Sequence, residues 1–148
     1  MDTVLRIDTD GAAVALPWPD DDSERRQTVR AAVGGPSDRA VYHRRAHLHV
    51  HGSGQSECPM NLPAWVLASL WRGIDIPYGL YGDVVVTGPD IEPLDADMVD
   101  EVLSVCAAVA EVRQEWSSRP PVGEAQARAE LLAAGRHVLS RCRADAGR

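Results

Sequence analysis

Apolar and polar residues alternate along the first part of the chain in the manner of paired β-strands. In residues 3–8, Leu5 and Ile7 alternate with polar neighbours. An Asp-Gly dipeptide then supplies the residues favoured in tight turns, and residues 12–16 are apolar again. This pattern predicts an opening β-hairpin. Two prolines follow, and a helix capped at Asp22 or Ser23 is expected to run to about Val33.

The middle of the chain continues the strand pattern and adds one helix. Residues 39–42 and 46–50 predict two further strands, and residues 84–87 are the most strand-like run in the sequence. Between them, Asn61 is placed to cap a helix that ends at Gly73.

From Leu94 the apolar spacing changes from two residues to three or four. The new spacing predicts a long amphipathic helix that starts near Asp95 and is closed by a proline pair. A second helix is predicted at about residues 123–145. Because neither apolar stripe is stable in water alone, we expect the two helices to pack as an antiparallel pair.

These elements together predict an α+β fold. We expect a small, mostly antiparallel sheet with two or more packed helices in residues 1–92. A C-terminal α-helical hairpin in residues 93–148 should pack on or beside this unit. The hairpin could also complete its burial across a two-fold axis, so a homodimer is a further hypothesis.

Composition and charge place the chain among ordinary globular proteins. Of its 148 residues, 45% are hydrophobic and 25% are charged, which is typical of a chain that buries a core. Three cysteines are an odd and sparse set, unlike a disulfide framework, and no run of about 20 apolar residues occurs. We therefore expect a cytoplasmic protein with no membrane partner. The net charge of −7 opposes general attraction to nucleic acid.

A run of histidines is the first candidate for chemistry. His47, His49 and His51 have a spacing of two, so in a strand they project from the same face. Three imidazoles suit zinc or another divalent transition metal, with Cys58, Glu57 or water as a fourth ligand. The competing interpretation is a solvated strand face that tolerates histidine, in which case no cofactor is expected.

Charged residues supply two further candidates. Arg39, Arg44 and Arg45 could bind nucleic acid. A dense acidic cluster could instead be a docking face for a basic protein partner, or a solvated loop and helix start whose dipole favours acids. The cluster consists of Asp90, Glu92, Asp95, Asp97, Asp100 and Glu101.

Several short motifs occur in an order that resembles a known family. They are Val33-Gly34-Gly35, Pro59-Met60-Asn61, and a strand flanked by Gly82 and Gly88. The ordered set resembles the domain of unknown function 3846, a family of bacterial, plasmid and phage proteins, over about residues 1–107. The sequence departs from the family pattern at residues 51–54, where an Asn-Glu-Glu-Gly stretch is common. The resemblance implies a similar fold and brings no established activity.

The leading functional hypothesis is a non-enzymatic interaction module. The sequence contains no Walker loop, no Gly-x-Gly-x-x-Gly, no Gly-x-Ser-x-Gly and no Cys-x-x-Cys. With the family context, this favours a mobile-element accessory or anti-defence protein that binds a protein partner. One alternative is a metal-binding protein or metal-dependent hydrolase that uses the three histidines. Another is nucleic-acid binding through the three arginines.

Overall fold

Five antiparallel strands form the centre of the protein. The computed structural model describes residues 2–147, so residues 1 and 148, the outer ends of the two predicted units, lie outside it. The strands form one sheet in the order β2-β1-β5-β4-β3, and each neighbouring pair is antiparallel. The predicted α+β fold is confirmed. The strands are β1 (Val4–Ile7), β2 (Ala13–Leu16), β3 (Ser37–His43), β4 (Ala46–His51) and β5 (Val84–Thr87).

Three of the helices begin at an Asp or Asn side chain that caps them. The side chains of Asp21, Asn61 and Asp95 each accept a hydrogen bond from a backbone N–H in the first turn of the helix that follows. The first cap is therefore Asp21, just before the predicted Asp22 or Ser23. The helices are α1 (Asp22–Val33), α2 (Gly54–Glu57), α3 (Leu62–Arg72), α4 (Ala96–Glu115) and α5 (Glu124–Ala146), and one 3₁₀ turn covers Pro89–Ile91.

The two faces of the sheet bury different helices. Alternate strand residues such as Leu48 and Val86 share the main apolar core with α3, α4 and α5. On the other face, Val85 packs with Val29 and Val33 of α1 in a smaller cluster. Helix α1 therefore lies across one face of β4 and β5. None of the helices between residues 2 and 147 is long and apolar enough to cross a membrane.

The C-terminal helices α4 and α5 pack against each other, as the sequence predicts. Close packing explains why α5 contains Gly135, which interrupts its apolar stripe. A Cβ atom added there would lie 2.6 Å from Cδ1 of Leu70 and 3.1 Å from Cγ1 of Val66, both on α3. The missing side chain therefore lets α5 approach α3 closely.

The 3₁₀ turn after β5 holds two residues in the left-handed region. Asp90 has φ of 58° and Ile91 has φ of 55°. Such a conformation costs about 1–3 kcal/mol per residue and is an outlier for a β-branched side chain. Two hydrogen bonds hold this turn in place. The Ile91 carbonyl accepts one from Trp18 Nε1 at 3.0 Å and one from Arg25 Nη1 at 3.3 Å.

Candidate functional site

The three spaced histidines lie on β4, and they differ in burial. Leu48 faces the main core, while His49 lies on the opposite face, under α1. The sequence therefore correctly predicted that His49 and Leu48 lie on opposite faces of the strand. The prediction of a solvated histidine face is wrong for this residue, because His49 is only 6% exposed. Residues of α1 and the 3₁₀ turn line the same pocket as His49.

Each histidine has a different environment. His49 Nε2 lies 2.9 Å from Thr87 Oγ1, and His51 Nδ1 accepts a hydrogen bond from the Ser53 backbone N–H at 2.9 Å. His51 Nε2 also lies 3.5 Å from a Glu57 carboxylate oxygen. The Nδ1 atom of His47 is buried and has no hydrogen-bond partner within residues 2–147.

The fourth predicted metal ligand, Cys58, lies beside Gly82. A Cβ atom added at Gly82 would be 3.1 Å from the Cys58 sulfur. Across the described part of the chain, no three His, Cys, Asp or Glu side chains are grouped so that they could hold a metal ion. Metal binding by His47, His49, His51 and Cys58 stays a prediction.

A cavity between α1 and the sheet gathers basic side chains. Its volume is about 730 Å³, and we call it the arginine pocket. Arg26 and Arg30, one helical turn apart on α1, contribute to one wall, and Arg39 of β3 contributes to another. The lining residues are Arg26, Val29, Arg30, Gly35, Pro36, Ser37, Arg39, His49 and Ile91.

The three arginines of this pocket carry uncompensated charge. None of them forms an ion pair or a side-chain hydrogen bond in the described structure, and the pocket lining includes no carboxylate. Other arginines are paired: Arg25 contacts Glu92 at 3.2 Å, and Arg45 contacts Asp95 at 2.6 Å. The pocket is therefore a local region of positive potential on a protein of net charge −7.

His49 contributes a neutral imidazole to the same pocket. Burial is the main reason why its pKa falls to about 4, and the nearby His47 and Arg39 lower it further. Arg39 is the direct partner of His49 in the β3–β4 register, which explains its influence. At neutral pH the ring is uncharged.

Acidification is expected to destabilise the fold through this histidine. Because His49 titrates near pH 6.5 when unfolded and at about 4 when folded, lowering the pH from about 7 to about 5 should reduce the free energy of unfolding by about 2 kcal/mol. The stabilisation that comes from the buried, neutral His49 ring is lost progressively as the pH falls from about 6.5 to about 4. Burial also lowers the pKa of His43 and His47, which acts in the same direction.

Urea denaturation at the two pH values checks this expectation. The His49→Gln variant retains a side-chain N–H for Thr87 but does not titrate, so it should lose about 2 kcal/mol less than the wild type. Equal losses in the two proteins would show that His49 is not the group responsible.

The arginines predicted from the sequence do not form one cluster. Arg39 lines the pocket, Arg44 is exposed in the β3–β4 turn, and Arg45 binds Asp95 and Asp97 at the start of α4. Arg26 and Arg30 were not among the site residues predicted from the sequence. Their spacing of four residues on a predicted helix was the available signal, because it places both on one helix face.

Most of the predicted acidic docking face is engaged within the chain. Glu92 pairs with Arg25, and both Asp95 and Asp97 contact Arg45. Glu101 is buried and accepts a hydrogen bond from Trp71 Nε1 at 3.1 Å. The remaining members of the cluster are Asp90 and Asp100. Protein binding through this face stays a prediction.

Comparison of the chain with models of known protein families, with curated protein sequences and with solved structures finds no match. The function is therefore inferred from the residues of the site.

Proposed function

We propose that this protein is a binding module for an anion of the phosphate class, held in the arginine pocket. The observation that carries the proposal is the convergence of Arg26, Arg30 and Arg39 on one cavity without a carboxylate partner in the described residues. A guanidinium group presents its N–H donors in a planar fork that matches phosphate oxygens, so arginine is well suited to this ligand.

The size of the pocket favours a small molecule over a single surface-bound ion. Ligand cavities in proteins measure about 300–1,000 Å³ and combine apolar walls with a few polar groups. The arginine pocket, at about 730 Å³, falls in this range, and Val29, Pro36 and Ile91 supply apolar wall. Such a site suits a compound that carries both a phosphate group and an apolar or ring portion.

The protein is still proposed to be a non-enzymatic binding module, but its proposed partner is a phosphate-class anion instead of another protein. Binding of a protein through the acidic cluster draws less support, because four of the six acids already contact residues of the same chain. Nucleic acid is one source of phosphate, but the predicted basic surface is divided, since Arg45 is neutralised by two carboxylates.

Calorimetric titration with inorganic pyrophosphate tests the proposal on untagged protein. We expect one site per chain, with a dissociation constant below about 1 mM at low salt. Because the three arginines are exposed, raising NaCl from about 50 to about 300 mM should weaken binding at least fivefold, as screening increases. No saturation by about 10 mM pyrophosphate, or an affinity that is independent of salt, would contradict the proposal.

A further inference from the structure

A short chain of hydrogen bonds fixes which nitrogen of His49 carries the proton. The Thr87 hydroxyl is fully buried and donates its hydrogen to the Gly88 carbonyl at 2.7 Å. A hydroxyl has one hydrogen, so towards His49 Nε2, at 2.9 Å, the Thr87 oxygen must accept. The Nε2 atom of His49 therefore carries the proton, and Nδ1 is left with a lone pair.

The surrounding backbone keeps this arrangement in place. Thr87 ends the central strand β5 and pairs with His47 of β4. The Gly88 N–H donates to the Glu92 carbonyl at 2.7 Å, which closes the turn beyond the strand. A Cβ atom at Gly88 would lie 2.5 Å from the Pro93 carbonyl oxygen, so this segment is tightly packed. With the reverse tautomer, the Thr87 hydroxyl would have to turn its hydrogen to His49 Nε2 and would lose its 2.7 Å hydrogen bond to the Gly88 carbonyl.

The tautomer of His49 affects which ligands the arginine pocket can hold. His49 lines the arginine pocket, and Nδ1 is the ring nitrogen that Thr87 leaves for a ligand. An oxygen placed against this lone pair is held only if it brings a hydrogen, because two acceptors in contact repel each other. The arginines attract any anion, whereas His49 distinguishes anions that carry a hydroxyl from those that do not.

We propose that the arginine pocket selects an anion bearing a hydroxyl hydrogen, such as hydrogen phosphate, over an anion of the same charge without one, such as sulfate. This inference rests on the proposed function, because the arginines must first hold the anion. The neutral state of His49 agrees with it, since burial keeps the pKa of this residue low and the ring does not become a second donor.

Parallel titrations with inorganic phosphate and inorganic sulfate at about pH 8 test the selectivity. Both ions are then mainly dianions, so they differ chiefly in the hydroxyl group. We expect phosphate to bind at least tenfold more tightly, because a site built to accept a ligand hydrogen rejects the analogue that lacks it. Equal affinities would overturn the inference and leave anion binding standing, whereas no binding of phosphate, sulfate or pyrophosphate would overturn the proposed function.

Substitution of Thr87 tests the mechanism. Thr87→Val removes the acceptor at Nε2, which frees His49 to carry its proton on Nδ1 and donate to either ion, so the preference should fall to within about threefold. Thr87→Ser retains the hydroxyl and should keep the wild-type preference. Undiminished selectivity in Thr87→Val would overturn the inference.

A spectroscopic measurement keeps the inference testable if Thr87→Val does not fold. Nitrogen NMR of the wild-type histidines at about pH 8 distinguishes the two tautomers directly. We expect His49 to be protonated at Nε2, with an unprotonated Nδ1. A proton on Nδ1 in the wild-type protein would overturn the inference without bearing on whether the arginines bind anions.

Discussion

Replacing Asn61 with alanine is expected to lower the free energy of unfolding by about 3 kcal/mol. The Asn61 side chain is fully buried, and its Nδ2 atom donates to the carbonyls of Ile7 and Gly82, each at 2.9 Å. Its Oδ1 atom accepts from the Ala64 N–H at 3.1 Å and caps α3. Alanine would remove these three buried hydrogen bonds. The effect is large because one amide joins the end of β1, the start of β5 and the first turn of α3.

Two variants separate this role from ordinary helix capping. Asp95 caps α4 from an exposed position and also pairs with Arg45 at the surface, so Asp95→Ala should cost only about 1–2 kcal/mol. Asn61→Asp preserves the cap but places an oxygen against two carbonyl oxygens, so it should destabilise at least as much as Asn61→Ala. Urea denaturation of the three variants measures these differences. A loss in Asn61→Ala no greater than in Asp95→Ala would contradict the account.

The sequence was informative wherever a local rule decides the structure. Alternating residues predict the strands on both sides of Asp10-Gly11, and Asn61 and Gly73 mark the two ends of α3. In each case the deciding contacts lie within a few residues of one another. The resemblance to the domain of unknown function 3846 remains a prediction, because it rests on motifs of this kind.

The arginine pocket could not be predicted in the same way. Its walls come from α1, β3 and β4, and they meet only because Val29 and Val33 pack α1 onto Val85 across the sheet. Basic residues that are adjacent in the sequence do not show which of them will meet in the pocket. Arg25 and Arg26 are adjacent, yet the first is buried against the 3₁₀ turn and the second is exposed at the pocket.

Burial of His49 depends on the same tertiary contact. Alternation along β4 assigns the face on which each histidine lies, but it does not reveal which face a helix covers. The strained Asp90–Ile91 pair was also unforeseen, because positive φ is uncommon outside glycine and is an outlier for a β-branched residue such as Ile91. That support comes from Trp18 and Arg25, which are distant in sequence.

Replacing Arg39 with alanine is expected to weaken pyrophosphate binding by about 10- to 100-fold. A hydrogen bond to a charged group contributes about 1.5–3 kcal/mol, and Arg39 is the pocket arginine that comes from the sheet. The side chain is exposed and unpaired in the described structure, so its removal should leave the stability of the fold almost unchanged. Loss of binding would therefore not reflect unfolding.

Arg44 provides the matched control for this substitution. It lies in the exposed β3–β4 turn, five residues after Arg39 and outside the pocket lining. Arg44→Ala changes the net charge by the same amount. If attraction to the whole protein governed binding, both variants would weaken it equally. If the arginine pocket governs binding, only Arg39→Ala should do so.

The most direct test of the arginine pocket is the dissociation constant of pyrophosphate for the wild type, Arg39→Ala and Arg44→Ala at one low salt concentration. The account predicts at least a tenfold weaker constant for Arg39→Ala and less than about a twofold change for Arg44→Ala. Equal weakening in the two variants, or unchanged binding in Arg39→Ala, would contradict it.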